Sequence, residues 1–144
     1  MMNNPTIIKG GTHRDNRGVL TYFNSFNLDA FQRFYAIKTD PTVVRAWQGH
    51  RKETKAFVCL DGEFKVGVVK PDDWEVPSDN LIPELYFLSE EDTNILIVPP
   101  GYANGLKALE DDSRIVVFSD KTLVESQKDD YRFESDMWMN WSDS

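Results

Sequence analysis

The feature that most constrains the fold is a succession of short segments rich in β-branched and aromatic residues, each bounded by turn-forming residues. Long helices are not indicated, because no stretch keeps the 3.6-residue spacing of apolar side chains that an amphipathic helix requires. The clearest example starts at Asp61-Gly62, a pair typical of a tight hairpin turn because glycine takes positive φ without strain. Beyond it Phe64, Val66 and Val68 alternate with residues of the opposite face, as in a half-buried strand. The chain is therefore predicted to be all-β.

Ten strands and one short helix are predicted along the 144 residues. The helix candidate is Thr122 to Asp129, where Thr122 suits an N-cap and Glu125 completes a capping box. Many short strands indicate a sandwich or a small closed barrel, and the length fits one compact core, so residues 1–144 are expected to form a single domain. The predicted strands are 6–9, 19–24, 33–38, 43–47, 55–60, 63–70, 84–88, 95–98, 105–109 and 114–119.

The charge distribution limits the classes of ligand. A formal net charge of −8 argues against a general nucleic-acid-binding protein, because the phosphate backbone requires a basic surface. A small anionic ligand is compatible with the sequence, since acids concentrate in 72–92 and 110–136 whereas five arginines lie within the first 51 residues. A phosphate-bearing ligand is therefore expected to bind the N-terminal part of the chain. The five arginines are Arg14, Arg17, Arg33, Arg45 and Arg51.

Neither a membrane segment nor a secretion signal is indicated. The longest apolar run, 95–100, is far shorter than the roughly 20 residues of a membrane span, and residues 1–5 lack a basic-then-apolar pattern. The single cysteine, Cys59, has no partner for an internal disulfide, and its apolar neighbours predict a buried thiol in a strand. The protein is expected to be soluble and cytoplasmic, with no membrane partner.

Two segments resemble the sequence motifs of cupins, a family of jelly-roll barrels. In the first motif two histidines two residues apart precede an acid and a turn glycine; the corresponding positions here are Gln48, His50, Lys55 and Gly62. The second motif, Pro-x-Gly-x-x-His, resembles residues 99–104, which end in asparagine instead of histidine. The resemblance implies a cupin-type double-stranded β-helix with a short C-terminal helical segment.

The same positions bear on metal binding. In metal-binding cupins the motif side chains converge on iron, manganese or zinc. Of that set only His50 remains, because Gln48 and Asn104 replace histidines and Lys55 replaces the acid. An ammonium group at the position of a ligand carboxylate repels a cation. No metal and no other cofactor are therefore expected.

From about His13 to Trp141 the chain resembles the dTDP-4-dehydrorhamnose 3,5-epimerases and dTDP-4-oxo-6-deoxyglucose 3,4-ketoisomerases. The resemblance rests on Asp-Asn-Arg-Gly at 15–18, Arg-Phe-Tyr-Ala-Ile at 33–37 and the closing segment from 129. It implies a metal-independent isomerase or epimerase, a homodimer, and a nucleotide-diphosphate 4-keto-6-deoxysugar as substrate in surface polysaccharide biosynthesis.

The resemblance also implies catalytic roles. The position of the 3,5-epimerase base is Gln48, which has no basic group to abstract a carbon-bound proton, whereas a second histidine and a tyrosine of the ketoisomerases match His50 and Tyr35. His50 is thus the expected base, since an imidazole titrating near neutrality suits proton transfer beside a ketone. Tyr35 is expected to return a proton and Lys55, which shares the strand parity of Phe57, to stabilise an enediolate.

Five further residues are expected to bind substrate. Arg17 and Arg45 suit the diphosphate, because a guanidinium presents paired donors. Gln48 and Asn104 suit sugar hydroxyls, and Trp47 suits stacking on a base or sugar.

Each of these assignments has an alternative. His50 and Tyr35 are also compatible with purely structural roles, Lys55 with a surface ion pair, Arg17 with bracing the turn at Asp15, and Trp47 with packing. At the level of function, the alternatives are a non-catalytic cupin that binds a sugar or nucleotide sugar, and a partner domain of another enzyme of the pathway.

Overall fold

The computed structural model describes residues 3–142, which fold almost entirely into antiparallel strands. Two five-stranded sheets face each other, with strand orders β1-β9-β6-β11-β4 and β12-β5-β10-β7-β8, and a separate hairpin is formed by β2 and β3. The strands are β1 (Thr6–Lys9), β2 (Gly11–Asp15), β3 (Gly18–Tyr22), β4 (Arg33–Thr39), β5 (Val44–His50), β6 (Lys55–Asp61), β7 (Glu63–Val69), β8 (Glu84–Ser89), β9 (Asn94–Val98), β10 (Tyr102–Ala108), β11 (Ser113–Ser119) and β12 (Tyr131–Arg132). A 3-10 turn spans Leu28–Ala30 and a short helix, α1, spans Leu123–Gln127.

The predicted all-β class is confirmed, and so is the short helix. Thr122 caps α1, and the side chain of Glu125 returns a hydrogen bond to the Thr122 amide at 2.9 Å. Strands β2 and β12 lie outside the predicted ranges. Within the described residues, no helix has both the length and the apolar composition needed to cross a bilayer.

The prediction of a hairpin at Asp61-Gly62 is wrong in one respect. Gly62 does have positive φ, at 73°, but β6 and β7 belong to different sheets, so the turn is a corner between sheets. The close approach of Ser113 explains the glycine, because a Cβ at residue 62 would lie 2.1 Å from Ser113 Oγ. The local sequence therefore predicts the backbone conformation at Gly62, whereas the strand that pairs with β7 is determined by contacts far away in the chain.

The main core lies between the two sheets. The alternating pattern of β7 places Phe64, Val66 and Val68 there, as predicted, and strands of the first sheet contribute Phe57 and Ile115. Cys59 also packs in this core, as expected for a thiol among apolar neighbours.

The outer face of the second sheet is covered by the end of the chain. Residues 129–141, here called the C-terminal strap, first add β12 to the edge of this sheet and then lie across its outer face, where Trp141 packs against Trp47 with ring centroids 5.3 Å apart. Two glycines make room for these indoles: a Cβ at Gly67 would lie 2.9 Å from Trp47, and one at Gly105 would lie 2.7 Å from Trp141. The strap can therefore pack on this sheet only because positions 67 and 105 carry no side chain.

Candidate functional site

Two adjoining cavities, of about 360 and about 310 Å³, lie against the strands that carry the first motif. Their walls combine residues of both sheets with residues of the C-terminal strap. Cavities of this size are large enough for part of a small ligand. The residues lining both cavities are Tyr35, Arg45, Gln48, Lys55 and Arg132.

The pairing of β5 with β10 determines which side chains face the cavities. Gln48 lies opposite Asn104, but the register then shifts, so that Arg45 lies opposite Leu106. Two residues of β5, Ala46 and Trp47, therefore span the distance covered by one residue of β10, as in a β-bulge. This irregularity brings Arg45 to the same side as Gln48 although the two are three positions apart.

Lys55 is buried at the first position of β6, with 4% of its surface exposed. This confirms the prediction that it points inward, and excludes the alternative of a surface ion pair. Its Nζ donates a hydrogen bond to Gln48 Oε1 at 3.0 Å and lies 5.9 Å from the centre of the Tyr35 ring. Burial lowers the pKa of Lys55 to about 8, and the charge of Glu53 opposes this shift.

Gln48 connects Lys55 to the C-terminal strap. Its Nε2 donates to Asp130 Oδ1 at 3.1 Å, and Arg132 Nε donates to the same oxygen at 2.7 Å. Hydrogen bonding with Arg132 and Gln48 holds the pKa of Asp130 below its ordinary value, despite opposing desolvation. A continuous chain of hydrogen bonds thus links the buried amine to a guanidinium at the cavity edge.

His50 is 3% exposed and lines the second cavity. Its Nδ1 lies 2.7 Å from the carbonyl oxygen of Asp129, and because a carbonyl only accepts, Nδ1 must carry the proton. Nε2 then bears the lone pair, and it has no hydrogen-bond partner among residues 3–142. Burial and the charge of Lys55 lower the pKa of His50, so the ring is neutral at neutral pH.

The Asp129 carboxylate fixes the loop between His50 and Lys55. Oδ1 accepts from the amide of Arg51 at 2.8 Å, and Oδ2 accepts from Lys52 and Glu53 at 2.8 and 2.9 Å. One residue of the strap therefore holds the loop with its side chain and His50 with its carbonyl group.

The side chains of His50, Glu53 and Asp129 place metal-ligating atoms within 4.8 Å of one another. Both oxygens of Asp129 already accept main-chain amides, and Glu53 Oε2 accepts from Ser119 Oγ at 2.7 Å. These groups form a hydrogen-bonded cluster, and a metal would have to break it. The expectation of a metal-free site stays a prediction.

Two cations lie close to the ring of Tyr35. The Arg33 guanidinium carbon is 5.5 Å and the Lys55 Nζ 5.9 Å from the centre of its ring. Burial raises the pKa of Tyr35, with a further contribution from the charge of Glu53, so the phenol is protonated at neutral pH. A protonated phenol at a cavity wall is able to donate a proton or a hydrogen bond.

Asn104 and Arg45 present side-chain donors to the cavities. Asn104 is buried, and its Nδ2 has no hydrogen-bond partner within the described part of the chain. A buried amide left unpaired costs free energy, and a bound oxygen would relieve that cost. Arg45 is exposed and lines both cavities, with cavity-facing access for an anion.

Two predicted binding residues have other contacts in the structure. Arg17 is in the β2–β3 turn, its side chain is 83% exposed, and its guanidinium pairs with Asp15 at 2.6 Å, which is the bracing alternative. The Trp47 side chain is buried on the outer face of the second sheet, and its Nε1 donates to the Met137 carbonyl oxygen at 2.8 Å. Packing is therefore the observed role of Trp47, which also borders the larger of the two site cavities, and its stacking on a ligand stays a prediction.

Sequence reasoning missed Glu53, Asp129, Asp130 and Arg132 as parts of the site. Only the last three had a signal, because they stand in the closing segment that resembles the epimerases. Their contacts to the first motif join residues about 80 positions apart, which no local pattern reveals.

Comparison with known proteins supports the fold. No family model and no curated protein matches the sequence. A dTDP-sugar isomerase of Desulfovibrio desulfuricans G20 is similar in structure, with a TM-score of 0.76, 19% identity, and coverage of 99% of this chain and 93% of that one.

Two further solved structures are similar. A mutant of a 3,4-ketoisomerase of Thermoanaerobacterium thermosaccharolyticum, in complex with TDP-4-keto-6-deoxyglucose, has a TM-score of 0.70 and 20% identity, covering 92% of this chain and 90% of that one. The RmlC epimerase of Mycobacterium tuberculosis has a TM-score of 0.76 and 17% identity, covering 96% and 74%. The fold is thus the cupin-type barrel expected from the motifs.

Proposed function

We propose that this protein is a cytoplasmic, metal-independent isomerase of a nucleotide-diphosphate 4-keto-6-deoxysugar, of the 3,4-ketoisomerase type, in surface polysaccharide biosynthesis. One observation carries the proposal: His50 is buried and neutral, its proton is fixed on Nδ1, and its Nε2 is free of partners within residues 3–142. This is the state that a general base requires. The similar fold of proteins described as sugar-nucleotide isomerases and epimerases supports the same class.

The proposed reaction moves one carbonyl group. The C4 ketone acidifies the C3 proton, His50 Nε2 takes that proton, and the substrate becomes an enediolate. Lys55, when protonated, stabilises the developing negative charge on oxygen. The O3 hydroxyl proton passes to O4, and Tyr35 donates a proton to C4, which gives the 3-keto sugar. His50 then releases its proton and Tyr35 regains one, so no atom is gained or lost overall.

The choice of ketoisomerase over 3,5-epimerase rests on Gln48. This residue occupies the position of the epimerase base, and both ends of its amide are already bonded, to Lys55 and to Asp130. An amide has no basicity for carbon acids. In this proposal Gln48 orients the amine of Lys55 and contacts sugar hydroxyls.

The binding roles follow from the donors in the cavities. Asn104 Nδ2 is proposed to bond a sugar oxygen, because binding relieves a buried unpaired donor. Arg45 is proposed to hold the diphosphate, and Arg132, which the motif analysis did not include, lies beside it as a second cation.

A homodimer is part of the proposal. The β2–β3 hairpin exposes Val19 and Leu20 at 49% and 59%, and β4 exposes Phe34 at 68%. A contiguous exposed apolar patch marks an interaction site, and these side chains are proposed to contribute to one. Arg17 lies on the same hairpin, so it reaches a diphosphate only if it crosses to a partner's site. Sedimentation at micromolar concentration tests this point, and a monomer contradicts it.

A binding protein without catalysis is the second candidate. The same feature that argues against epimerisation favours it: the epimerase base is absent, and Gln48 and Lys55 bond each other. Such a protein holds the sugar nucleotide through the same donors and leaves its carbon-bound protons in place.

Proton NMR with dTDP-4-keto-6-deoxyglucose in deuterated water separates the candidates. We expect exchange at C3 and appearance of a 3-keto product, absent in His50→Asn and retained in the matched variant of the exposed histidine, His13→Asn. Exchange at C5 instead indicates an epimerase. Saturable broadening of the ligand signals without exchange indicates a binding protein, and exchange that persists in His50→Asn removes His50 from the mechanism.

A further inference from the structure

Glu53 is a buried acid that the proposed mechanism leaves without a role. It lies in the loop between β5 and β6 and is 1% exposed. Oε2 accepts a hydrogen bond from Ser119 at 2.7 Å and lies 3.9 Å from the Arg33 guanidinium. Oε1 has no hydrogen bond among the described residues and lies 3.4 Å from His50 Nδ1. A buried carboxylate with one unsatisfied oxygen is costly, so the partner of Oε1 matters.

The geometry at Nδ1 identifies that partner. The Nδ1 proton is donated to the Asp129 carbonyl oxygen at 2.7 Å, and Nδ1 itself lies 3.4 Å from Glu53 Oε1, close enough for a charge interaction. Both acceptors favour the tautomer that leaves the lone pair on Nε2. If Nε2 then takes a proton, the ring becomes a cation beside a fixed anion in a weakly screened interior. The same carboxylate thus acts on His50 before and after proton transfer.

We propose that Glu53 is a positioning residue for His50, holding the proton on Nδ1 and stabilising the imidazolium formed when Nε2 accepts a proton. Ser119 and Arg33 hold the carboxylate from its other side. The logic is that of the buried carboxylate in a catalytic triad, here reached from a residue three positions along the same chain. The part that concerns the sugar rests on the proposed function; the tautomer and the charge pairing do not.

Several other charged groups near His50 also affect its pKa. Burial and Lys55 lower the pKa of His50, whereas Glu53 and Asp129 raise it. Loss of the Glu53 charge therefore shifts the pKa of His50 further down, and the neutral ring persists to lower pH. The charged groups around the ring are Lys55 on β6, Arg33 on β4, Glu53 in the loop, and Asp129 and Asp130 in the strap.

The first test needs no substrate. The chain has only two histidines, His13 and His50, so nitrogen–proton NMR of the imidazoles resolves both. We expect neutral His50 to carry its proton on Nδ1, and Glu53→Gln to move its titration to lower pH. The matched charge-removing variant Glu110→Gln, in an exposed turn, should leave His50 unchanged. A proton on Nε2 in the wild type, or unchanged titration of His50 in Glu53→Gln, overturns the inference.

The second test uses the exchange reaction. We expect Glu53→Gln to slow C3 exchange by about 10- to 100-fold, within the range of general acid–base contributions, with the affinity for the sugar nucleotide unchanged. The acidic limb of its pH profile should move to lower pH, and Glu53→Asp should recover part of the rate. A loss of rate that follows only the folded fraction, with no shift of the pH profile, contradicts a positioning role.

A variant that does not fold and a wild type that exchanges no proton each call for a second measurement. If Glu53→Gln does not fold, Ser119→Ala removes one hydrogen bond from the carboxylate and should change the His50 titration and slow exchange by a few-fold; no change in either overturns the inference. If the wild type exchanges no proton of the 4-keto sugar, the proposed function fails. The NMR titration still decides the pairing of Glu53 with His50.

Discussion

The two histidines of this chain lie at the same distance from a carboxylate but in different surroundings. His13 Nε2 is 3.4 Å from Asp15 on the β2–β3 hairpin, and His50 Nδ1 is 3.4 Å from Glu53 beside the cavities. The His13 side chain is 66% exposed and the His50 side chain 4%. Exposed pairs contribute little because water screens them and the side chains remain mobile. The distance alone therefore does not identify a site; burial and fixed neighbours do.

The carboxylates of the two regions differ in the same way. On the hairpin, Asp15 pairs mainly with the exposed Arg17, and this hydrogen bond lowers the pKa of Asp15. In the site, Asp129 accepts three main-chain amides, from residues 51, 52 and 53. The first carboxylate supports an exposed turn through one neighbouring side chain, whereas the second is itself buried and holds a loop through three main-chain hydrogen bonds.

The largest expected effect is the loss of Asp129. Asp129→Ala leaves three amides without acceptors, and at 1.5–3 kcal/mol for a hydrogen bond to a charged group, partly offset by water, we expect about 4 kcal/mol of destabilisation. Urea unfolding measures it. Asp15→Ala on the hairpin is the matched control and should leave the unfolding midpoint unchanged. Equal effects of the two substitutions would remove the contrast between the regions.

The next effect concerns the pH dependence of stability. The pKa of Lys55 is about 8 in the folded protein and 10.5 in its ordinary state, so the unfolded chain binds the proton more tightly. The free energy of unfolding should therefore rise between about pH 8 and 10.5, by about 3 kcal/mol from this residue. Lys55→Met should abolish that rise, and Lys9→Met, at an exposed position, should keep it. Parallel curves for wild type and Lys55→Met would show that the buried amine has an ordinary pKa.

A smaller effect of opposite sign is expected at Asn104. Replacement by the similarly sized leucine removes an unpaired buried donor, which should stabilise the free protein by about 1 kcal/mol. The same change should weaken binding of the sugar nucleotide, and calorimetric titration beside thermal unfolding measures both. A loss of stability would mean that the amide already has a partner, and unchanged affinity would exclude it from the ligand site.

The smallest effect is expected at Arg17. Arg17→Ala removes an exposed pair and should leave the unfolding transition of the protein unchanged. If the hairpin crosses to a partner's site, the affinity for a nucleoside diphosphate should fall in the dimer. Unchanged affinity in a proven dimer would assign Arg17 to the turn alone.

The sequence predicted the parts of the fold and site that depend on local pattern. Strand alternation placed Lys55 inward, and the capping residues of α1 predicted a helix start. The motif positions of Gln48, His50 and Asn104 came together as the cupin resemblance implies. These features depend on periodicity within one strand, or on spacing within one motif.

The features that were missed depend on long-range pairing. In a regular strand, Trp47 and Arg45 would both point away from the face that carries Gln48. Trp47 does so, but the register shift against β10 turns Arg45 to the same face as Gln48. Strand β12 has two residues and too little sequence for a pattern. Asp129 was predicted as the last residue of the short helix. In the structure its carboxylate bonds a loop about 78 residues earlier in the chain.

The C-terminal strap also has a consequence for the order of assembly. Synthesis reaches residues 129–141 after every strand of the two five-stranded sheets except β12. The barrel can therefore pair its strands before the loop after His50 has a carboxylate to hold it. In a growing chain the strands of the barrel are therefore made first, and the residues that complete the site follow them.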